Sequence, residues 1–228
     1  MTRSPSPAAE DRPPARRGRP PRASAEGGTP TLDSPAGRDI AARLRETALD
    51  LFSRHNYSTV TIKDIADASG INPSLIYYYF GNKEGLFLAV VESTITAAFS
   101  RFEAISRKSN TPEAIVSTWI EIHILQYPLL QKLGKISLDY ANMESRNAQV
   151  DTAIKRFYRQ ESAVLKAAIR QGIADGTFRA VNPEAQATFI STFLDGCLFR
   201  QVIMPNFNPK AAIRHMRALL LEQMKAPA

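Results

Sequence analysis

The chain has 228 residues, which is long enough for one large or two modest domains with a hydrophobic core. Its composition, 44% hydrophobic and 22% charged, is typical of an ordinary soluble protein. The single cysteine, Cys197, excludes an internal disulfide, and a zinc site would have to draw on three histidines and on carboxylates. The net charge of +7 suggests an anionic partner.

No segment of the sequence resembles a membrane span or a secretory signal. The longest uninterrupted apolar run covers residues 86–91, far short of the roughly 20 residues that cross a bilayer. The N-terminus holds Pro, Arg, Ser and Ala, with no apolar stretch behind a basic start. We therefore expect a cytoplasmic protein that does not contact a membrane.

The first 37 residues differ in composition from the rest, because they hold eight of the 15 prolines among Ser, Gly, Ala and Arg. Such a segment buries too little apolar surface to offset the entropy of ordering it. We expect residues 1–37 to form a disordered tail.

From residue 38 onward the spacing of apolar residues is helical almost throughout, and no alternating run of β-branched residues predicts a strand. Four prolines follow a residue that can cap a helix, namely Asn72, Thr111, Asn182 and Asn208. The predicted helices cover residues 39–54, 62–68, 73–80, 83–107, 112–126, 128–144, 147–174, 183–203 and 209–225. The sequence thus predicts an all-α fold of about nine helices, with a small head at 38–85 and a larger body at 86–228.

The two short helices at 62–68 and 73–80 match a helix-turn-helix, in which the second helix enters the major groove of DNA. When the apolar positions of this second helix face the core, five residues are expected to face away from it: Asn72, Ser74, Leu75, Tyr78 and Tyr79. Tyr77 completes a run of three tyrosines, which cannot all be buried because successive positions turn by about 100°. An exposed phenol can donate to a phosphate or pack against a thymine methyl.

Two helix N-termini beside this motif offer sites for DNA phosphates. Lys83 begins the 83–107 helix, where its ammonium and the free amides of the first turn can bind an anion. Thr61 is predicted to cap the 62–68 helix in a capping box with Asp64, with Lys63 one turn further in.

The segment TIKDIADASGINPSLIYYYFGNKEGL, residues 61–86, closely resembles the signature of the TetR/AcrR (tetracycline-repressor-like) transcriptional regulators. The resemblance implies a three-helix DNA-binding head on a helical body that dimerises and binds a small ligand. By position, it makes Thr61, Tyr77, Tyr79 and Lys83 phosphate contacts. It makes Lys63, Ser74, Leu75 and Tyr78 base contacts. Tyr79 stands where the family often has a histidine.

The tail carries a second motif for DNA, since residues 12–22 contain five arginines and no acid. Within them, RGRPP resembles the core of an AT-hook, whose arginines, here Arg17 and Arg19, lie along a narrow A·T minor groove. The alternative is an Arg/Pro-rich tail that only keeps the protein soluble.

The last two predicted helices carry apolar stripes that are too apolar for a free surface. By the resemblance, these helices from two subunits form a four-helix dimer interface. The residues expected there are Phe189, Cys197, Ile213, Met216, Leu220 and Met224. The alternative is that parts of both stripes pack inside one subunit.

A pocket for a hydrophobic effector is expected between the middle helices. The candidate lining residues are Trp119, His123, Tyr127, Tyr140, Phe157, Phe193 and Phe199. Any one of them could instead be a core residue, and His123 could be a buried histidine with its hydrogen bonds satisfied.

These features predict a ligand-responsive transcriptional regulator that binds a palindromic operator as a homodimer and represses until a small molecule releases it. Two alternatives remain open: an architectural protein of A·T-rich minor grooves, and a transcriptional activator. We expect neither a cofactor nor enzymatic activity, because no Gly-rich phosphate loop, metal-spaced histidine cluster or nucleophile elbow is present.

Overall fold

The computed structural model describes residues 29–107, 111–144 and 146–227. Over these ranges the chain forms the helices α1 (Pro35–Arg54), α2 (Ile62–Ser69), α3 (Pro73–Phe80), α4 (Lys83–Ser106), α5 (Pro112–Leu125), α6 (Tyr127–Ala141), α7 (Ala148–Ala174), α8 (Pro183–Ile203) and α9 (Pro209–Met224). The one β-type pairing in the same ranges is an antiparallel bridge between Phe178 and Lys225. The prediction of an all-α fold is confirmed.

The predicted cap residues begin their helices, because each side chain accepts a hydrogen bond from a free amide of the first turn. Asn72 accepts from the amide of Ser74, with 2.9 Å between oxygen and nitrogen. Thr111, Asn182 and Asn208 cap α5, α8 and α9 in the same way, at 3.2, 2.9 and 3.0 Å. In all four helices proline follows the cap. The N–H at this position makes no intrahelical hydrogen bond in any helix, so proline, which has no N–H, loses nothing there.

The first helix begins four residues earlier than predicted, at Pro35 rather than Asp39. The side chain of Ser34 accepts a hydrogen bond from the amide of Gly37 at 3.0 Å, so the N-cap lies inside the segment predicted to be disordered. Residues 35–37 are therefore helical, and that part of the prediction is wrong. Residues 1–28, which carry the Arg-rich motif, lie outside the described residues.

The head consists of α1, α2 and α3, which pack around fully buried side chains such as Leu44, Phe52, Ile65 and Ile76. Gly70 closes α2 with φ at +67°, a left-handed backbone that glycine adopts without strain. This tight exit allows α3 to follow α2 directly in the helix-turn-helix.

The core of the head continues without a break into the body. Phe87 of α4 contacts Phe52 of α1 at 5.3 Å between ring centroids and stacks on Tyr140 of α6 at 5.2 Å. The same cluster includes Leu133 and Ile136 of α6. The head therefore shares its core with α4 and α6, and displacements of those helices reach α1 directly.

A second core cluster fills the body between α5, α7, α8 and α9. Trp119 of α5 is almost fully buried there and packs edge-on against Phe102 of α4, with ring centroids 4.9 Å apart. One helix in the described ranges, residues 83–105 of α4, is long and apolar enough by length and composition to cross a membrane. It runs through both clusters and packs against α1, α5, α6 and α7.

Candidate nucleic-acid interface and effector cavity

The surface of α3 presents two tyrosines to solvent. The side chains of Tyr77 and Tyr78 are each 54% exposed, whereas the preceding residue, Ile76, is fully buried in the core of the head. Asn72 and Ser74 are exposed at the start of the helix, and Leu75 is half-buried. These five residues form the exposed face of α3, which we call the reading face: Asn72, Ser74, Leu75, Tyr77 and Tyr78.

Tyr79 does not belong to this face, since it is only 8% exposed and lies in the core of the head. Its ring contacts that of Tyr78 edge-on, with centroids 5.1 Å apart. The prediction that Tyr79 faces away from the core is wrong, because the helical turn that exposes Tyr77 and Tyr78 carries the next residue inward.

Thr61 and Asp64 form the predicted capping box at the start of α2. The amide of Asp64 donates to Thr61 Oγ1 at 3.1 Å, and the amide and hydroxyl of Thr61 donate to Asp64 Oδ2 at 2.8 and 2.7 Å. These hydrogen bonds lower the pKa of the Asp64 carboxyl. Thr61 and Lys63 are exposed beside it. The Thr61 hydroxyl proton is thus directed at Asp64 in the free protein.

Lys83 is held by the loop between α1 and α2. Its Nζ donates to the carbonyl oxygens of Tyr57 and Val60 at 2.8 and 2.9 Å, and lies 4.3 Å from the ring centroid of Tyr57. Burial lowers the pKa of the Lys83 ammonium. Two of its three donors are therefore occupied, and its first structural role is to join α4 to the head.

The helix-turn-helix itself carries little charge. Between residues 62 and 80 there is one lysine, Lys63, against Asp64 and Asp67, and α3 has no charged side chain. Attraction to phosphates is the main source of non-specific DNA affinity. A duplex bound by this face would have to draw most of that attraction from cations outside α2 and α3.

The body contains a narrow cavity between α4, α5, α6, α7 and α8, with a volume of about 30 Å³. On one side it is lined by Ile95, His123, Leu130, Leu133, Gly134 and Ser137. On the other side it is lined by Ile154, Phe157, Tyr158, Asp195 and Leu198.

Two of the seven predicted pocket residues, His123 and Phe157, line this cavity. Trp119 lies in the core of the body, and Tyr140 in the core shared with the head. The Tyr127 hydroxyl donates to the carbonyl oxygen of Cys197 at 3.1 Å. The other two residues lie on α8: Phe193 borders a groove shared with α9, and Phe199 is 36% exposed.

A buried carboxylate network adjoins the cavity, centred on Glu161 of α7. This side chain is 2% exposed, and its two oxygens accept hydrogen bonds from Trp119 Nε1 at 3.0 Å and Ser191 Oγ at 2.6 Å. Nearby, Tyr158 and Asp195 lie close enough for each to shift the pKa of the other. Burial and the neighbouring Glu161 raise the pKa of Asp195 to about 6, and burial also raises the pKa of Glu161.

Sequence reasoning missed Tyr158 and Glu161. The signal for Glu161 was its register, because it continues the buried stripe of α7 that runs through Val150, Phe157 and Leu165. A charged residue at an apolar register position is a candidate for a specific role, since burying an ionisable group is costly.

Most of the predicted dimer residues are buried inside one subunit. Cys197 is 4% exposed, and the apolar stripe of α9, made up of Ile213, Met216, Leu220 and Met224, is no more exposed than that. These residues join the core cluster of the body, where α9 packs against α5. The prediction that this stripe faces a second subunit is wrong, and the alternative of packing within one chain holds.

A different apolar face of α8 and α9 is exposed. Of the predicted dimer residues only Phe189, at 50%, belongs to it. The further large apolar side chains exposed there are Phe199, Val202, Ile203, Met204 and Leu219. We call this set, with Phe189, the α8–α9 face. Exposed apolar groups of this size mark interaction surfaces.

Comparisons with known proteins bear on both halves of the chain. A family model described as bacterial regulatory proteins, tetR family, matches residues 44–90, and one described as BetI-type transcriptional repressor, C-terminal, matches residues 131–225. The regulatory protein RaaS of Mycobacterium tuberculosis is 35% identical over 79 residues, 35% of this chain and about a third (34%) of its own length. The repressor KstR2 of Mycolicibacterium smegmatis is 24% identical over 72% of this chain and 77% of its own.

Solved structures share the fold over most of the chain. A TetR transcription regulator from Haloarcula marismortui superposes with a TM-score of 0.72 at 19% identity, covering 82% of this chain and 99% of its own. A transcriptional regulator from Saccharomonospora viridis in complex with choline gives 0.70 at 24% identity, covering 84% and 100%. Since the two family models together match more than half of its residues, the chain belongs to the TetR family of bacterial regulatory proteins.

Proposed function

We propose that the protein is a ligand-responsive transcriptional repressor that binds a palindromic operator as a homodimer in the cytoplasm. The observation that carries this proposal is the reading face, where Tyr77 and Tyr78 stand half-exposed on a short, capped helix whose other face packs into the head through Ile76 and Tyr79. An eight-residue helix is about 12 Å long, which fits the width of a major groove. The names of KstR2 and of the related repressor NicS support repression as the direction of control.

The homodimer is inferred from the α8–α9 face. An isolated subunit would leave Phe199, Ile203 and Leu219 in water, with Ile203 79% exposed. A two-fold axis through this face pairs it with itself and presents two reading helices to one DNA duplex. We expect the two half-sites to be separated by about one helical turn, 34–36 Å, or a multiple of it.

The effector site is inferred to be the cavity of the body, and α6 gives it a direct connection to the head. Gly134 and Ser137 line the cavity, while Lys132 and Lys135 on the same helix bind Asp50 Oδ1 and the carbonyl oxygen of Ser53 in α1. A ligand that displaces α6 or α4 would therefore rotate α1 and change the spacing of the two reading helices.

The tail supplies the charge that the helix-turn-helix lacks. Arg17 and Arg19 lie outside the described residues, and their contact with a minor groove is part of the proposal. An alternative function, an architectural protein of A·T-rich DNA, would depend on this tail alone. Removing residues 1–28 leaves the Ser34 cap of α1 in place, so the deletion tests the tail without shortening the fold.

The test is a genome-wide map of bound sites followed by footprinting of the full chain and of the chain without residues 1–28. The proposal predicts protection of one palindrome by both proteins, with weaker affinity and a shallower salt dependence for the shortened chain. Binding to many A·T-rich sites without preference, lost on removing the tail, would favour the architectural protein. Increased transcription from the bound promoter on adding protein would favour an activator.

A further inference from the structure

The polar groups at the start of α3 bind one another in the free protein. Asn72 Oδ1 accepts hydrogen bonds from both the amide and the hydroxyl of Ser74, at 2.9 and 2.8 Å. A side-chain amide reads adenine by accepting from N6 through its oxygen while its nitrogen donates to N7. The oxygen of Asn72 already holds two hydrogen bonds, so it has no lone pair left for adenine. Its nitrogen can still donate to N7, but guanine carries the same acceptor, and this contact would not distinguish the two purines.

The remaining polar groups of the reading face do not select a base pair either. Arg or Lys reads guanine and Asp or Glu reads cytosine, but α3 has no charged side chain. The Ser74 hydroxyl directs its proton at Asn72 and is left as an acceptor, which suits the amino group of adenine and that of cytosine alike. The phenol hydroxyls of Tyr77 and Tyr78 can both donate and accept. Base selection by α3 therefore has to come from its apolar groups.

Two apolar side chains of the reading face form a strip along α3. Leu75 and Tyr78 are three positions apart, which makes them neighbours on one side of a helix. Leu75 is half-buried against the core of the head, and the ring of Tyr78 packs edge-on against buried Tyr79, with centroids 5.1 Å apart. Since the core holds both side chains in place, little side-chain entropy is lost when DNA covers their outer surfaces.

We propose that the reading face recognises thymine through its C5-methyl group, with Leu75 and Tyr78 as the residues that contact it. Thymine is the one base of unmodified DNA with an apolar group on its major-groove edge. The eight residues of α3 span about 12 Å, or three to four base-pair steps of about 3.4 Å. Within such a stretch, each half-site carries thymine beneath this strip. The inference deepens the proposed function by naming the base that α3 reads, and it rests on that function.

The test removes single methyl groups from the palindrome that the full chain protects in footprinting. Deoxyuridine replaces thymine at one position of both half-sites at a time, which keeps every hydrogen-bonding group of the base and deletes only the methyl group. Burial of one methyl group is worth about fourfold in affinity, so its loss from both half-sites should weaken binding by about tenfold or more at a contacted position. Thymines outside the reach of α3 should give changes within about twofold.

A second pair of operators separates the methyl group from the rest of the base pair. Cytosine or 5-methylcytosine, each paired with guanine, replaces the contacted thymine in both half-sites. The methyl group of 5-methylcytosine occupies the same position on the ring as that of thymine, so this operator should bind about tenfold more tightly than the one with cytosine. Equal affinity of these two operators would show that α3 does not read the methyl group, and it overturns the proposal.

Two variants assign the contact to its side chain. In Tyr78→Ala the affinities for thymine and deoxyuridine should agree within about twofold at a sensitive position. The matched control is Tyr77→Ala, which removes a side chain of the same size and the same 54% exposure that is a proposed phosphate contact. This variant should bind more weakly but keep the preference for thymine. Circular dichroism checks that both variants keep the helical fold.

The outcomes separate this inference from the proposed function. Insensitivity to deoxyuridine at every half-site thymine, a protected palindrome without thymine beneath α3, or full retention of the preference by Tyr78→Ala overturns the inference. In each of these cases the palindrome is still bound, so the proposed function stands. Failure of the full chain to protect any palindrome overturns both.

Discussion

Lys83 Nζ lies 2.8 Å from the carbonyl oxygen of Tyr57 and 4.3 Å from the centroid of its ring, so one ammonium contacts both the backbone and the side chain of the same residue. The contact joins the first residue of α4 to the loop that leads into α2. Lys83 and Tyr57, which are 26 positions apart in the sequence, thus form a joint between the body and the head.

The first prediction concerns this joint. Lys83→Met keeps most of the aliphatic stem but leaves the carbonyl oxygens of Tyr57 and Val60 without their donor, which should lower the free energy of unfolding by about 1–3 kcal/mol. Operator affinity should fall by a similar factor for every sequence, because the altered part is the placement of the head and not a base contact. Urea denaturation and DNA titrations measure the two effects.

Lys63→Met is the matched control, because Lys63 is an exposed lysine of the same head. Its effect on unfolding should stay within about 0.5 kcal/mol, as for most surface substitutions. Equal stability of the two variants would show that the hydrogen bonds of Lys83 contribute nothing to the joint.

The second prediction separates the two exposed tyrosines of α3. Tyr78→Ala should reduce discrimination between the operator and single-base variants by about 1–3 kcal/mol at the contacted position. Tyr77→Phe removes only a hydroxyl and should weaken binding to all these sequences alike, as loss of a phosphate contact does. Competition binding with a set of substituted operators distinguishes them, and a uniform loss in Tyr78→Ala would remove that residue from base recognition.

The sequence was most informative where a local chemical rule decides the structure. The four capping residues followed by proline set helix starts by hydrogen bonding and backbone geometry alone, and these predictions are confirmed. The start of α1 was missed because Ser34 lies in a proline-rich segment, where composition outweighed a single capping residue.

The sequence was least informative about which surface a helix face meets. The stripe of α9 through Ile213 and Met216 has the same period whether it packs on α5 or on a second subunit, so its register could not distinguish the two. The buried carboxylate network depends on Glu161 and Asp195, which lie 34 positions apart and come close only after α7 and α8 pack. Such long-range pairs leave no spacing pattern in the chain.

The third prediction concerns the two apolar faces of α9, one buried inside the subunit and one exposed. Ile213→Ala should lower the free energy of unfolding by about 2–5 kcal/mol, because it opens a cavity in the core of the body. Leu219→Glu places a charge on a side chain that is 59% exposed in one subunit. This substitution should leave the free energy of unfolding of the separated subunit nearly unchanged. It should raise the dissociation constant of the dimer by about tenfold or more.

Sedimentation velocity over a range of concentrations measures the association, and helical circular dichroism reports the fold. If Leu219→Glu remained as associated as the unmodified chain, the two-fold axis would not pass through the α8–α9 face.

The last prediction is the pH dependence that the carboxyl of Asp195 confers on stability. Burial and the charge of Glu161 raise the pKa of Asp195 from its ordinary 3.8 to about 6, so the folded chain holds this proton more tightly than the unfolded chain. Stability should therefore fall as the pH rises from about 4 to about 6, and the full cost, up to about 3 kcal/mol, should be present above that range.

Asp195→Asn carries no charge to desolvate, so it should be more stable than the unmodified chain at pH 7.5 and equal to it near pH 4. The other titratable groups facing this carboxyl, Glu161, Tyr158 and His123, are present in both proteins. Since Glu161 and Tyr158 are coupled to Asp195, the difference reports the titration of the coupled groups together. Urea unfolding at the two pH values measures the difference. The control for net charge is Glu92→Gln, which removes a half-exposed carboxylate that pairs with Arg156. A gain that did not depend on pH would mean that Asp195 is ionised as readily in the folded chain as in water, which would contradict the raised pKa.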